Sequence, residues 1–144
     1  MTFSPNHVNL IVELIKERES MAYISQQDKK ELAPRIKSVL KTYGMKGTIS
    51  INNHSSLVVT VQSGVLDFTD HFSHGDGHIQ VNTYHIDSWY SGTIKKFLSE
   101  LLKAMRGTKW YDHSDAHYDH FDTAYYTNIN IGNWNKPYVL KEAI

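Results

Sequence analysis

The sequence predicts an α+β fold, an antiparallel or mixed sheet of about four strands with helices packed on one face. Residues 92–106 carry an apolar stripe at helical spacing, with charged and polar residues opposite. Residues 48–51 and 57–61 have the alternating and continuously apolar patterns of two adjacent strands. The 144 residues contain no Pro/Ser/Gly tract and no long charge run, so we expect one domain over residues 1–144.

Two helices are predicted before the first strand. Apolar residues recur at helical spacing over residues 5–18. Ser25 and Asp28 approximate a capping box, which begins a second helix, and Gly44 is its expected end. Pro34 lies inside this second helix and predicts a kink or a division, because proline lacks the amide hydrogen that a helix interior uses.

The strands follow these helices. Residues 57–61 are more uniformly apolar than residues 48–51, so they are expected to form the central strand. The asparagine-rich segment 52–55 predicts a hairpin turn between the two strands. Three further strands are predicted, at residues 78–84, 125–131 and 138–140. The apolar face of the helix over 92–106 is expected to pack on the hairpin strands through Ile94, Phe97, Leu98, Leu101 and Leu102.

Composition excludes several classes of protein. There is no cysteine, so disulfides and thiolate zinc sites are ruled out, as in proteins of a reducing compartment. No apolar run reaches the ~20 residues of a membrane span, and the N-terminus lacks the pattern of a signal peptide. Fifteen basic residues balance fifteen acidic ones, which argues against direct nucleic-acid binding. We therefore expect a cytoplasmic protein without a membrane partner.

Nine histidines are unusual for this length and raise the question of a metal site. His113 and His117 are four residues apart, but no helical apolar period surrounds them and no His-Glu-x-x-His motif occurs. The alternative is an exposed polar loop that happens to contain histidine. We expect neither a metal nor another cofactor.

A polar, aromatic-rich loop over residues 108–121 is the strongest candidate for a functional segment. Its acidic residues and the adjacent Asp122 could hold Mg²⁺ or Ca²⁺ or could satisfy backbone amides in turns, and the four are Asp112, Asp115, Asp119 and Asp122. His54 precedes two serines, but no Gly-x-Ser-x-Gly motif supports a serine nucleophile. The loop is also longer than the usual connection of about 4–6 residues, and loops of such length are often functional.

Aromatic residues in and near this loop are candidate anchors for a protein partner, because Tyr and Trp dominate binding hot spots. They include Trp110, Tyr111 and Tyr118, and Tyr138 lies beyond the next strand. The alternative is that such aromatics only close the ends of the sheet. Together with His54 and the four aspartates, Trp110, Tyr111 and Tyr118 make up the predicted partner-binding surface.

Several segments resemble small phage and prophage proteins and a domain family found in the large polyvalent proteins of phages and plasmids. The resemblance covers about residues 22–140 and is carried by residues 23–26, 36–44, 54–59, 79–82, 97–98, 112–115, 119–122 and 128–138. If the family shares a polar site, the resemblance implies that His54, Ser55, Asp112, Ser114, Asp115, Asp119 and Asp122 form it. The histidines of the loop are departures from the family pattern.

The resemblance implies a protein that a mobile element makes or delivers inside a bacterium. With no complete catalytic motif, we expect it to bind and inhibit a host protein, for example a CRISPR effector or a restriction system. The acidic, aromatic loop suits a basic partner, including one that itself binds nucleic acid. The alternative is a small phage enzyme that acts on a nucleotide or macromolecule through His54 and residues 112–122.

Overall fold

The computed structural model describes residues 22–72, 77–108, 110–112 and 123–141. In chain order its elements are α1 (Gln26–Thr42), β1 (Met45–Asn52), β2 (Ser56–Gly64), a 3₁₀ turn (Thr69–His71), β3 (Ile79–Val81), α2 (Ile86–Trp89), α3 (Gly92–Arg106), β4 (Tyr126–Ile131) and β5 (Val139–Leu140). The helix predicted over residues 5–18 lies outside the described residues.

The five strands form one mixed sheet in the order β1-β2-β4-β3, and β5 pairs with the far end of β2. β1 and β2 form the predicted antiparallel hairpin. β2 and β4 run parallel, from Ser56 opposite Tyr126 to Val61 opposite Ile131. β3 closes the other edge antiparallel to β4. The α+β class and the central position of β2 are therefore confirmed.

The turn of the hairpin has an unusual backbone. Asn53 and His54 both have positive φ, at 54° and 56°, and the amide of Ser55 donates to the carbonyl of Asn52 at 3.2 Å. This is the pattern of a type I′ turn, whose twist matches that of the two strands it joins. Asparagine adopts the left-handed region readily and histidine adopts it less readily, so His54 occupies a position that suits glycine better.

The capping box at the start of α1 is present as predicted. The Ser25 hydroxyl accepts from the Asp28 amide at 3.1 Å, and the Asp28 carboxylate accepts from the Ser25 amide at 3.0 Å. Pro34 does not divide the helix, which continues to Thr42. Pro34 is exposed, so the helical turn before it can adjust on the solvent side.

The core lies between the helices and one face of the sheet. From the sheet, Leu57, Val59, Val61, Ile129 and Ile131 are fully buried; from α3, so are Phe97, Leu98, Leu101 and Met105. Leu102 is also buried, whereas Ile94 is only half-buried against this cluster. The helical spacing of apolar residues in α3 thus predicted its buried face, except that Ile94 lies at the edge of that face.

The third strand is shorter than predicted. β3 ends at Val81, because the Asn82 side chain accepts from the Tyr84 amide at 3.0 Å and so turns the chain away from the sheet. The alternating pattern of residues 78–84 contains no sign of this local hydrogen bond, so it predicted too long a strand. The turn leads into the short helix α2 and leaves the Tyr84 side chain exposed.

Candidate functional site

The candidate site lies at the end of the sheet where β2 and β4 begin. There the hairpin turn is joined to two distant segments by backbone hydrogen bonds. The amide of Ile24 donates to the carbonyl of His54 at 2.8 Å. The amide of Tyr126 donates to the carbonyl of Ser55 at 2.9 Å. The turn that carries His54 is therefore fixed beside the start of β4.

The same end includes the beginning of the acidic loop. The amide of Tyr23 donates to the carbonyl of Ala124, and the amide of Ala124 donates to the carbonyl of Tyr111, both at 2.9 Å. Asp112 and Thr123 form an antiparallel bridge, and the Thr123 hydroxyl donates to the Asp112 carboxylate at 3.0 Å. These bonds draw the two ends of the loop together on one side of the sheet.

A small cleft opens beside these segments, with a volume of about 90 Å³. We call it the Arg106 cleft, and it is lined by Thr83, Tyr84, Arg106, Trp110, Thr123, Tyr125, Tyr126, Thr127 and Asn128. Its lining combines aromatic rings, hydroxyl and amide groups and one cationic side chain. Surfaces of this mixture can hold an apolar group and a polar group at the same time.

Arg106 and Trp110 form one wall of the cleft. The guanidinium carbon of Arg106 lies 3.9 Å from the centre of the Trp110 ring, a cation–π contact. The Trp110 indole N–H donates to the carbonyl of Tyr125 at 2.7 Å, which fixes the ring. Burial lowers the pKa of the Arg106 guanidinium, and Tyr84 and Asp112 oppose that shift.

Tyr125 connects the cleft to the end of α3. Its hydroxyl lies 2.6 Å from the carbonyl oxygen of Met105 and 2.9 Å from that of Arg106, two carbonyls left without helical partners at a C-terminus. Burial raises the pKa of Tyr125 to about 12. The neutral hydroxyl thus holds the last turn of α3, and with it the backbone of Arg106, against the first residues of β4.

Exposed tyrosines surround the cleft. Tyr84 is 73% exposed and Tyr126 is 47% exposed, and both line it. Tyr23 and Tyr111 are exposed as well, and their backbones are bonded to Ala124, between two lining residues. We call these four side chains the tyrosine surface.

The predicted site residues have different positions. Trp110 is half-buried and lines the cleft, whereas Tyr111, Asp112 and His54 are exposed at the same end of the sheet. Asp115, Tyr118, Asp119 and Asp122 lie outside the described residues. Tyr138, a candidate surface aromatic, is buried instead, and its hydroxyl donates to the carbonyl of Leu66 at 2.7 Å. It closes the other end of the sheet.

Sequence reasoning missed Arg106, Tyr84 and Tyr126 as components of the site. A signal for Arg106 was present, because it ends an amphipathic helix and a tryptophan follows four residues later. Strand alternation gave a second signal, since it turns one of the two neighbouring tyrosines, Tyr125, inward and the other, Tyr126, outward. Tyr84 depends on the turn at Asn82 and had no periodic signal.

Within residues 22–72, 77–108, 110–112 and 123–141, no three His, Asp or Glu side chains are grouped so that they could hold a metal ion. No helix in this described part of the chain is long and apolar enough to cross a membrane. Comparisons of the chain with protein-family models, with curated proteins and with solved structures found no match.

Proposed function

We propose that this chain is an accessory protein of a phage or another mobile element, and that it binds and inhibits a host protein in the bacterial cytoplasm. The first partners to test are host defence components, a CRISPR effector or a restriction system. The observation that carries the proposal is the tyrosine surface. Two exposed tyrosines from distant segments, Tyr84 and Tyr126, line one cleft, and the backbones of the exposed Tyr23 and Tyr111 are bonded to Ala124 beside it.

Tyrosine is suited to such a surface. Its ring supplies a large contact area at a low cost in conformational entropy, and its hydroxyl forms hydrogen bonds at the rim of an interface. Single exposed aromatics are ordinary on a protein surface, but a cluster of them is typical of a binding site. Backbone hydrogen bonds of 2.8–2.9 Å hold the supporting segments together, so little ordering is needed when a partner binds.

The charge of the adjoining loop supports a basic partner. The segment from Asp112 to Asp122 contains four aspartates and no Lys or Arg. Asp112 is exposed beside the cleft. Complementary charge increases the rate of encounter, so a host protein with a basic, nucleic-acid-binding surface would be attracted to this end of the molecule.

The alternative, a small enzyme acting through His54 and residues 112–122, remains a prediction. It requires His54 to face a pocket together with the carboxylates. His54 is exposed at the tip of the hairpin and is not among the residues that line the Arg106 cleft. Turnover of a nucleotide or macromolecule that is lost in His54→Ala, in a protein that stays folded, would favour the enzyme over the inhibitor.

The decisive experiment removes exposed rings without changing charge. A partner is first isolated from the bacterial host with the full chain, and its affinity is then measured by calorimetry. Tyr84→Ala combined with Tyr126→Ala is expected to weaken binding at least about tenfold, as for interface anchors that each contribute more than ~1 kcal/mol. Trp134→Ala is the matched control, because Trp134 is 80% exposed and does not line the cleft.

Equal losses in the tyrosine variant and in Trp134→Ala would contradict the proposed location. A second pair of changes, Asp115→Ala with Asp119→Ala, tests the acidic loop. If the loop contacts a basic partner, this variant stays folded, binds more slowly and loses part of its dependence on salt. Full activity of the aspartate variant against the target would make the loop structural.

A further inference from the structure

Arg106 has no anionic partner among the described residues. Among the described residues no carboxylate lies within ion-pair distance of its guanidinium, and no hydrogen bond from it is made within that part of the chain. Asp112 is near enough to influence its pKa, but the Asp112 carboxylate accepts from Thr123. An arginine that is half-buried normally pairs with a carboxylate or phosphate, because its desolvation is otherwise uncompensated.

The guanidinium of Arg106 lies against an aromatic ring in the lining of the cleft. Its Nε is buried and has no hydrogen-bond partner in the described part of the chain. One face of the group lies against the Trp110 ring at 3.9 Å. The contact with the Trp110 ring restrains the plane of the group, and the two terminal nitrogens carry the N–H donors that Arg106 can offer to a group in the cleft.

The size of the cleft limits what can enter. The cleft has a volume of about 90 Å³, well below the roughly 300–1,000 Å³ of pockets that enclose drug-sized ligands. A cleft of this size can hold one small polar group, and it is too small to enclose a nucleoside. The lining also includes the hydroxyl and amide side chains of Thr83, Thr127 and Asn128.

We propose that the Arg106 cleft is a binding site for a carboxylate group, held by the terminal nitrogens of Arg106 beside the Trp110 ring. A planar carboxylate matches the planar guanidinium through two parallel hydrogen bonds. The group can belong to a free small acid or to a glutamate side chain of a protein. The site therefore goes beyond the proposed function, since a free acid can occupy it whether or not a protein partner exists.

The test is a titration of the full chain with sodium acetate, followed by ¹H–¹⁵N correlation spectra. The indole N–H of Trp110 is the reporter, because it is fixed to Tyr125 and its ring contacts the guanidinium. Acetate is expected to shift this resonance saturably, and sodium chloride at equal ionic strength is not. Arg106→Gln, and Arg106→Lys as a variant that keeps the charge, should weaken acetate binding at least about tenfold.

Arg35→Gln is the matched control, because Arg35 is exposed on α1 and the change in net charge is the same. It should bind acetate as the parent does. A capped peptide with one glutamate, compared with the same peptide carrying glutamine, separates the two sources. Tighter binding of the glutamate peptide than of acetate assigns the site to a protein side chain, and the reverse assigns it to a free acid.

Several outcomes would overturn the inference. The first is that neither acetate nor the glutamate peptide shifts the resonance saturably. The second is that Arg106→Lys has an unchanged affinity for acetate. The third is that inorganic phosphate binds more tightly than acetate. Each leaves the proposed function standing if the tyrosine variant still loses its partner. Conversely, the full chain could bind acetate while Trp134→Ala and the tyrosine variant bind the partner equally well. That result would uphold the carboxylate site and contradict the proposed location of the partner-binding surface.

Discussion

The apolar face of the sheet and the Arg106 cleft are built on the same two strands, but they are held together differently. Along β2 and β4 alternate side chains point to one face of the sheet, and there they are buried under the helices. At the start of these strands, short segments from four parts of the chain are joined by backbone hydrogen bonds. Burial of apolar area stabilises the first region, and directional polar contacts position the second.

This difference separates stability from function within the molecule. Substitutions on the apolar face should lower the free energy of unfolding and leave binding at the cleft unchanged in the molecules that remain folded. Changes at the cleft end should have small effects on unfolding and larger ones on binding. The predictions below test that separation, in order of decreasing effect on stability.

The largest effect is expected from Leu98→Ala. Leu98 is fully buried in α3, so its removal creates a cavity in the core. The free energy of unfolding should fall by about 2–5 kcal/mol, measured by denaturant unfolding. Ser99→Ala, at the exposed neighbouring position, should change it by less than ~0.5 kcal/mol. An unchanged midpoint in Leu98→Ala would show that α3 is not packed as described.

Tyr125→Phe should have an intermediate effect. The change removes the hydroxyl that holds the carbonyls of Met105 and Arg106, at a cost of about 1–2 kcal/mol in the free energy of unfolding. Tyr126→Phe is the control, because Tyr126 is the exposed neighbour in the strand. Equal effects of the two changes would mean that the hydroxyl of Tyr125 does not fix the end of the helix.

The same residue gives a dependence on pH. Burial raises the pKa of Tyr125 from 10.0 to about 12, so above pH 10 the unfolded chain loses this proton before the folded chain does. The stabilisation is therefore complete below pH 10 and is lost as the pH rises to about 12. Tyr138 contributes in the same direction, since burial also raises its pKa to about 12. Thermal melts between pH 9 and 12 should show a smaller alkaline loss in Tyr125→Phe than in the parent.

His54→Gly should have a small effect of opposite sign. His54 has a φ of 56°, which glycine adopts without strain, so the free energy of unfolding should rise by up to about 1 kcal/mol. If His54 belongs to the working surface, the same variant should bind the partner more weakly although it is more stable. Ser50→Gly, in the middle of β1, should lower stability instead. A destabilised His54→Gly would contradict the turn geometry.

No effect is expected from removal of metal ions. A chelator should leave the melting temperature unchanged, and elemental analysis of the purified protein should find little zinc. Stoichiometric metal would overturn this expectation and would favour the enzyme over the inhibitor.

The two regions also differ in how far the sequence predicts them. The helical spacing of apolar residues predicted the bounds of α3, and the nearly continuous apolarity of residues 57–61 predicted the central position of β2, because burial imposes such patterns. Ser25 and Asp28 predicted the start of α1, because the capping box is a local hydrogen-bond pair. The third strand was predicted to be too long, because the Asn82 side chain ends it after Val81.

The cleft could be predicted only in part. Of the residues predicted for the partner-binding surface, Trp110 lines the cleft, and Tyr111, Asp112 and His54 lie at the same end of the sheet. The pairing of Arg106 with Trp110 depends on how α3 ends against β4, which is a tertiary contact without a sequence period. Sites assembled by such tertiary contacts are recognised from the three-dimensional structure and not from a sequence pattern.

The hydrogen bonds from Tyr23 to Ala124 and from Ile24 to His54 have a consequence for the order of folding. They join segments that are widely separated along the chain, so the entropy of closing long loops must be offset before they can form. The hairpin and α3 need only local contacts and can form early. We therefore expect the cleft to form after the hairpin and α3 and to open before them, so that a molecule bound there would stabilise the segments that open most readily.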